Sequence, residues 1–72
     1  MRTNTTIRIE LNGAPRELRE GATLVDLVLE LGLRPEVVAV EVNHALVPRA
    51  ERERRVLAAG DRVEVVTLVG GG

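Results

Sequence analysis

The residues with the clearest potential for chemistry are the last three of the sequence, Gly70, Gly71 and Gly72. The chain has seven glycines in 72 residues, so three in succession after a strand-forming stretch call for an explanation. Three extended residues reach about 10 Å, and glycine has no side chain that would block a narrow channel. We interpret residues 70–72 as a flexible tail that offers the Gly72 carboxylate as a reacting group. A frayed chain end is the alternative interpretation.

Other side chains offer little further chemistry. The absence of cysteine excludes disulfides, thiolate metal sites and cysteine nucleophiles. His44 is the only histidine and follows Asn43 in a predicted turn, so we interpret it as a surface residue and not as a base or metal ligand. Asp26 and Asp61 are expected to serve a helix start and a turn. We therefore predict no metal site and no cofactor bound by the chain itself.

The charge pattern argues against nucleic-acid binding. Ten arginines oppose nine glutamates and two aspartates, which gives a formal net charge of -1 with the signs interspersed. Nucleic-acid binders usually concentrate basic residues and add aromatic side chains, but Phe, Tyr and Trp are all absent. The densest basic stretch, residues 49–55, is diluted by Glu51 and Glu53. We predict that it is a solvated loop.

Size and hydropathy limit the classes of protein to which this chain can belong. A chain of 72 residues forms one domain at most, and it buries too little surface for a deep catalytic cleft. The first twenty residues lack the apolar core of a secretory signal, and no apolar run approaches the length of a membrane span. We expect a cytoplasmic protein that is not an enzyme.

Periodicity predicts the strands that must position the tail. Alternating apolar residues predict two strands joined by a tight turn at Asn12 and Gly13, since both residues tolerate positive φ. β-Branched runs predict a buried strand after Pro35, a short one before Pro48, and a final strand that leads into the glycines. The predicted strands cover residues 5–11, 14–19, 37–42, 45–47 and 62–69.

One helix is predicted between the second and third strands. Leu24, Leu27, Val28 and Leu31 follow the spacing of a single apolar helix face. Thr23 can cap its start with Asp26 nearby, and Gly32 can end it in a left-handed conformation. The expected core contains apolar residues from the helix and three strands: Ile7, Ile9, Leu27, Val28, Leu31, Val40, Val63 and Val65.

The final strand has apolar residues on both faces. If Val63 and Val65 face the helix, then Val66 and Leu68 point to the opposite side of the sheet. Exposed apolar side chains next to the tail would form a partner-binding patch. Alternatively, residues 49–58 cover that side of the sheet.

Three stretches in order resemble the ThiS family of sulfur carrier proteins from thiamin biosynthesis: VAVEVNHALVPR at residues 38–49, GDRVEVV at residues 60–66, and the terminal GGG. The resemblance covers almost the whole chain, including LNG near the start. The order of elements is that of the α+β, ubiquitin-like β-grasp fold, a mixed four- to five-stranded sheet packed on one α-helix. The fold implies that the first and last strands lie parallel in the middle of the sheet. The expected division is a domain at residues 1–69 and a tail at residues 70–72.

The resemblance also implies a function. In the ThiS family the C-terminal carboxylate, here that of Gly72, is adenylated by an E1-like, ThiF-type enzyme that uses ATP. A sulfur donor protein then supplies the sulfur of a thiocarboxylate, which a ThiG-type thiazole synthase consumes. The protein is thus implied to be a cosubstrate. One departure is Arg52, at a position where many family members have tryptophan.

Other functions share these sequence features. Sulfur carriers for molybdopterin or tRNA thiolation and ubiquitin-like protein modifiers also end in two glycines, so the tail does not separate them. The VPR element and the short length favour the thiamin pathway. An alternative of another class is a small regulatory or RNA-binding β-grasp module, for which removal of the tail would be harmless.

Overall fold

Five strands and one α-helix make up the part of the chain that the structure describes, residues 5–68 of a computed structural model. The elements are β1 (Thr6–Leu11), β2 (Ala14–Arg19), α1 (Leu24–Glu30), β3 (Val38–Val42), β4 (Ala45–Leu46) and β5 (Arg62–Thr67). Two short 3-10 helices, Pro35–Val37 and Arg49–Glu51, precede β3 and follow β4. Every strand predicted from the periodicity is present, with ends that differ by one or two residues.

The strands form one mixed sheet in the order β2-β1-β5-β3-β4. β1 and β5 are parallel, whereas β1 pairs with β2, and β3 with β4 and β5, in antiparallel fashion. The final strand of the described chain is therefore the central strand of the sheet. This arrangement confirms the expected β-grasp fold and the parallel pairing of its first and last strands.

Two tight turns set the hairpin registers. Asn12 and Gly13 have φ values of 49° and 85°, so both central residues are left-handed, as a two-residue hairpin loop with the favoured twist requires. The resulting register pairs Leu11 with Ala14. Asn43 and His44, with φ values of 52° and 71°, make the equivalent turn between β3 and β4.

Helix α1 begins and ends where its local sequence predicts. The Thr23 side chain accepts from the backbone N–H of Asp26 at 3.2 Å, and the Asp26 carboxylate accepts from the Thr23 N–H at 2.9 Å. This reciprocal pair is a capping box. At the other end Gly32 has φ 75°, and the N–H of Leu33 donates to the carbonyl of Val28 at 3.2 Å. This bond closes the last turn and ends the helix.

The core lies between α1 and the inner face of the sheet, and it is larger than the expected set. Ile7 and Leu31 are only partly buried, because Ile7 lies near the start of β1 and Leu31 caps the end of α1. Six further residues are buried that the expected set did not contain: Leu18, Leu24, Val38, Val42, Val47 and Leu57. The buried apolar residues are Ile9, Leu18, Leu24, Leu27, Val28, Val38, Val40, Val42, Val47, Leu57, Val63 and Val65.

Arg52 corrects the prediction that residues 49–55 are wholly solvated. Its side chain is 5% exposed and donates to the carbonyls of Pro35 at 2.9 Å and Val38 at 2.8 Å. Burial lowers the pKa of Arg52, and the charge of Arg49 lowers it further. The guanidinium is buried because it supplies donors to two carbonyls at the start of β3.

Residues that follow Arg52 pack beside the start of α1 and not across the outer face of the sheet. Leu24 donates its N–H to the Arg55 carbonyl at 3.0 Å, and Leu57 donates to the Ala22 carbonyl at 2.9 Å. Val56 forms an isolated bridge with Thr23. The alternative in which residues 49–58 cover the outer face is therefore wrong for Val66 and Leu68, which remain more than half exposed.

Candidate functional site

The predicted reacting residues, Gly70, Gly71 and Gly72, lie outside the described residues, as does the proposed boundary at residue 69. What the structure describes is the segment that leads to them, residues 65–68, which we call the tail root. The site is therefore built from the contacts that hold the tail root and from the surface beside it.

On one side the tail root is held by β3 and the residue before it. Thr67 pairs with Val38 and Val66 pairs with Ala39 in the antiparallel register. The N–H of Leu68 then donates to the carbonyl of Val37 at 2.7 Å. Backbone pairing thus continues on this side to the last described residue.

On the other side the tail root is held by a side chain. The parallel pairing of β1 with β5 reaches Leu11 and Val63, and the N–H of Asn12 donates to the Val63 carbonyl at 2.9 Å. The Asn12 amide then bonds to both backbone groups of Val65. Its Oδ1 accepts from the N–H at 2.9 Å, and its Nδ2 donates to the carbonyl at 3.3 Å.

Sequence reasoning assigned Asn12 to its turn and missed this second role. The local pattern shows only that Asn12 tolerates positive φ, and Val65 is 53 residues away in sequence. The one available signal is that the amide has donor and acceptor groups that a glycine at the same position would lack.

Val66 and Leu68 form an exposed apolar surface beside the tail root, which we call the back-face patch. They are 55% and 52% exposed, whereas the alternating residues Val63 and Val65 are 1% and 9% exposed. The predicted two-sided character of the final strand is confirmed. The role of the patch in partner binding stays a prediction.

Two carboxylates lie on the same face as the back-face patch. Glu41 of β3 and Glu64 of β5 are directly opposite in the register, and both are exposed. Like charges in this position repel each other. Within residues 5–68 neither forms an ion pair, whereas the neighbouring Arg62 pairs with Glu10 at 3.4 Å. The back face thus combines apolar side chains with uncompensated negative charge.

The remaining candidates have the structural roles expected of them. Asp61 accepts from the N–H of Ala58 at 2.8 Å and from Nδ2 of Asn43 at 3.1 Å, which fixes the turn before β5. His44 is exposed in its turn. Residues 5–68 contain no group of three side chains suited to hold a metal ion. No helix in that range is long and apolar enough to cross a bilayer.

Comparison with known proteins identifies relatives that share this architecture. The ThiS family profile matches residues 9–72. The sulfur carrier protein ThiS of Thermus thermophilus is 45% identical over 62 residues, which cover 86% of this chain and 95% of that protein. A crystal structure of the thiamine biosynthesis protein ThiS from Geobacter metallireducens has a TM-score of 0.79 at 28% identity, and the match covers 92% of this chain and all of that one.

A longer relative has a different name. A thiazole synthase of Magnetococcus marinus is 46% identical over 66 residues, or 92% of this chain, yet this chain spans only 20% of the length of that protein. The matched region is thus one part of a larger polypeptide. The family profile, in contrast, runs from within β1 through the three glycines, and on this basis the chain belongs to the ThiS family.

Proposed function

We propose that this protein is a sulfur carrier of thiamin biosynthesis and that the carboxylate of Gly72 carries the sulfur. The observation that supports this proposal is the family match, which extends over the fold and through Gly72. The Thermus thermophilus relative of nearly the same length is itself named a sulfur carrier protein. The chain has no cysteine, so sulfur is carried on the terminal carbonyl carbon and not on a thiol side chain.

The reaction has two steps because a carboxylate is a poor electrophile. A carboxylate oxygen of Gly72 attacks the α-phosphorus of ATP, which forms an acyl adenylate and releases pyrophosphate. A sulfur nucleophile, hydrosulfide or its equivalent from a sulfur donor protein, then attacks the carbonyl carbon and displaces AMP. The product is a thiocarboxylate. ATP is bound by the adenylating partner, so this chain acts as a cosubstrate.

The chain contributes delivery of the reacting group. Glycine accepts a wide range of φ and ψ, so residues 70–72 can follow a narrow channel into a nucleotide site. The back-face patch lies next to the start of this tail and would contact a ThiF-type adenylyltransferase. Because Glu41 and Glu64 add negative charge to that face, the contacting surface of the partner is expected to be apolar and basic.

Thiazole synthase is the proposed acceptor of the sulfur. The Magnetococcus marinus protein with that name contains a region 46% identical to this chain within a polypeptide about five times as long. A carrier-like region and the rest of a thiazole synthase are therefore joined in one relative. This supports a ThiG-type enzyme as the partner that consumes the thiocarboxylate.

The experiment combines the purified protein with ATP, a ThiF-type adenylyltransferase and sulfide. Mass spectrometry should show a mass increase equal to the difference between sulfur and oxygen, localised to Gly72. A variant that lacks Gly71 and Gly72 should fold, and its mass should not change in the reaction. If that truncated variant restored thiamin synthesis in cells that lack the native gene, the carrier function would be wrong and a regulatory module would replace it. Sulfur transfer to thiazole synthase, measured with the modified protein, separates the thiamin pathway from molybdopterin and tRNA thiolation.

A further inference from the structure

Strand β1 ends before its neighbour β5 does. The chain turns away at Asn12, while β5 continues to Thr67. In a parallel pair, alternate residues of β5 direct their backbone groups toward β1. Val63 finds its partner in the Asn12 backbone, but Val65, two residues later, lies beyond the last backbone group that β1 can offer.

The Asn12 side-chain amide takes the place of the backbone groups that β1 does not provide opposite Val65. A primary amide has one acceptor and two donors, so it can satisfy a neighbouring N–H and a neighbouring carbonyl at once, as a peptide group does. Asn12 makes both bonds to Val65, at 2.9 Å and 3.3 Å. The tail root is thereby held by a side chain on the β1 side, while β3 and Val37 hold it on the other side.

The position of these bonds matters because they lie at the start of the segment that leads to Gly72. Gly72 is seven residue steps beyond Val65, a distance of at most about 25 Å along the chain. The geometry of the tail root therefore sets where the residues that lead to the carboxylate begin.

We propose that Asn12 is a positioning residue for the reaction of the tail: its side-chain amide keeps the tail root in sheet geometry, so that the tail root need not be ordered when the adenylating partner binds. This inference rests on the proposed carrier function. Pre-ordering lowers the cost of binding, and so Asn12 acts on the affinity for the partner and not on the chemical step.

The turn between β3 and β4 provides a matched control. Asn43 has φ 52°, close to the 49° of Asn12, and its side chain also bonds to β5. Its Oδ1 accepts from the N–H of Arg62 at 3.0 Å, at the opposite end of the strand from the tail root. Asn43 Nδ2 also donates to Asp61 at 3.1 Å, so Asn43→Gly removes two side-chain bonds, as Asn12→Gly does, without loosening the tail root.

The experiment compares Asn12→Gly, Asn12→Asp and Asn43→Gly, all of which tolerate positive φ. In the free protein, hydrogen exchange of the Val65 amide should accelerate in Asn12→Gly. It should stay slow in Asn12→Asp, which keeps the acceptor, and in Asn43→Gly. Thermal unfolding of each variant identifies a temperature at which all remain folded, and the kinetics are measured there.

Adenylation is followed by ATP–pyrophosphate exchange with a purified ThiF-type enzyme. Asn12→Gly removes both bonds to Val65 and should raise KM for the carrier about tenfold, a factor within the net contribution of two hydrogen bonds, and leave kcat unchanged. The KM of Asn12→Asp should be intermediate, and the KM of Asn43→Gly should match that of the wild type. An equal rise in KM for Asn12→Gly and Asn43→Gly, or none for either, would overturn the role of Asn12. Failure of the wild-type chain to be adenylated would instead overturn the proposed function.

Discussion

At the scale of single residues, Arg52 shows how a charged side chain is accommodated in a small core. Its guanidinium satisfies the carbonyls of Pro35 and Val38, which join the 3-10 helix to β3. Its Nε atom is buried with no hydrogen-bond partner within the described residues, so the arrangement has an electrostatic cost. The two bonds hold the segment whose Val37 carbonyl also accepts the N–H of Leu68.

Arg52→Met should therefore destabilise the protein by about 1–3 kcal/mol, since it leaves two carbonyls without donors. Arg52→Lys should recover part of the loss, because an ammonium group can reach one of them. Urea denaturation measures both effects. Arg49→Met is the control: its side chain is 64% exposed and its contact with Glu36 is 3.9 Å long. An Arg52→Met variant as stable as the wild type would show that the Arg52 bonds contribute no net stability.

At the scale of elements, β5 has one face in the core and the other in solvent. Val63 and Val65 belong to the core, whereas Val66 and Leu68 leave more than half of their surface in solvent. The strand is central, so its backbone groups are used by the sheet and only its outer face is available to a partner. A substitution on that face can thus alter binding with little effect on folding.

Leu68→Glu should weaken binding to a ThiF-type enzyme at least about tenfold, because it replaces an apolar contact with a charge that must be desolvated in the interface. The free energy of unfolding should change by less than about 0.5 kcal/mol, as for other exposed positions. Calorimetry and thermal unfolding give the two quantities. Leu29→Glu, at a 59% exposed position on α1, should alter neither. Equal losses of binding and stability for Leu68→Glu would place Leu68 in the core.

At the scale of the whole molecule, one short helix closes a single small core. The seven residues of α1 bury Leu24, Leu27 and Val28 against the sheet. A helix of this length is not stable by itself, so its caps and its packing must form together with the sheet. Loss of one of these side chains should therefore weaken the entire fold and not the helix alone.

Leu27→Ala should cost about 2–5 kcal/mol, a large share of the roughly 5–15 kcal/mol available to a small domain. Leu27 is fully buried, so the substitution leaves a cavity. The control is Leu29→Ala in the same helix, where the side chain is 59% exposed and the change should be small. Urea denaturation followed by circular dichroism tests the pair. If Leu27→Ala lowered the free energy of unfolding no more than the control does, the assignment of Leu27 to the core would be wrong.

Local features of the fold could be predicted because a few adjacent residues determine them. The turn at Asn12 and Gly13, the Thr23 cap and the Gly32 stop depend on backbone preferences within one or two turns. The parallel pairing of β1 and β5 followed from family resemblance and not from periodicity. The burial of Arg52 and the contact of Asn12 with Val65 could not be predicted, since their partners are 14 to 53 residues distant in sequence.

The central place of β5 also determines how the protein responds to mechanical force. The hydrogen bonds that hold β5 to its neighbours run across the direction of the strand. A pull on the tail along that direction loads these bonds in shear, so they share the load and must break together. A strand peeled from its end would lose them one at a time. A partner that pulls on the end of β5 therefore acts against all of these hydrogen bonds at once, and the fold resists this force better than it would resist peeling.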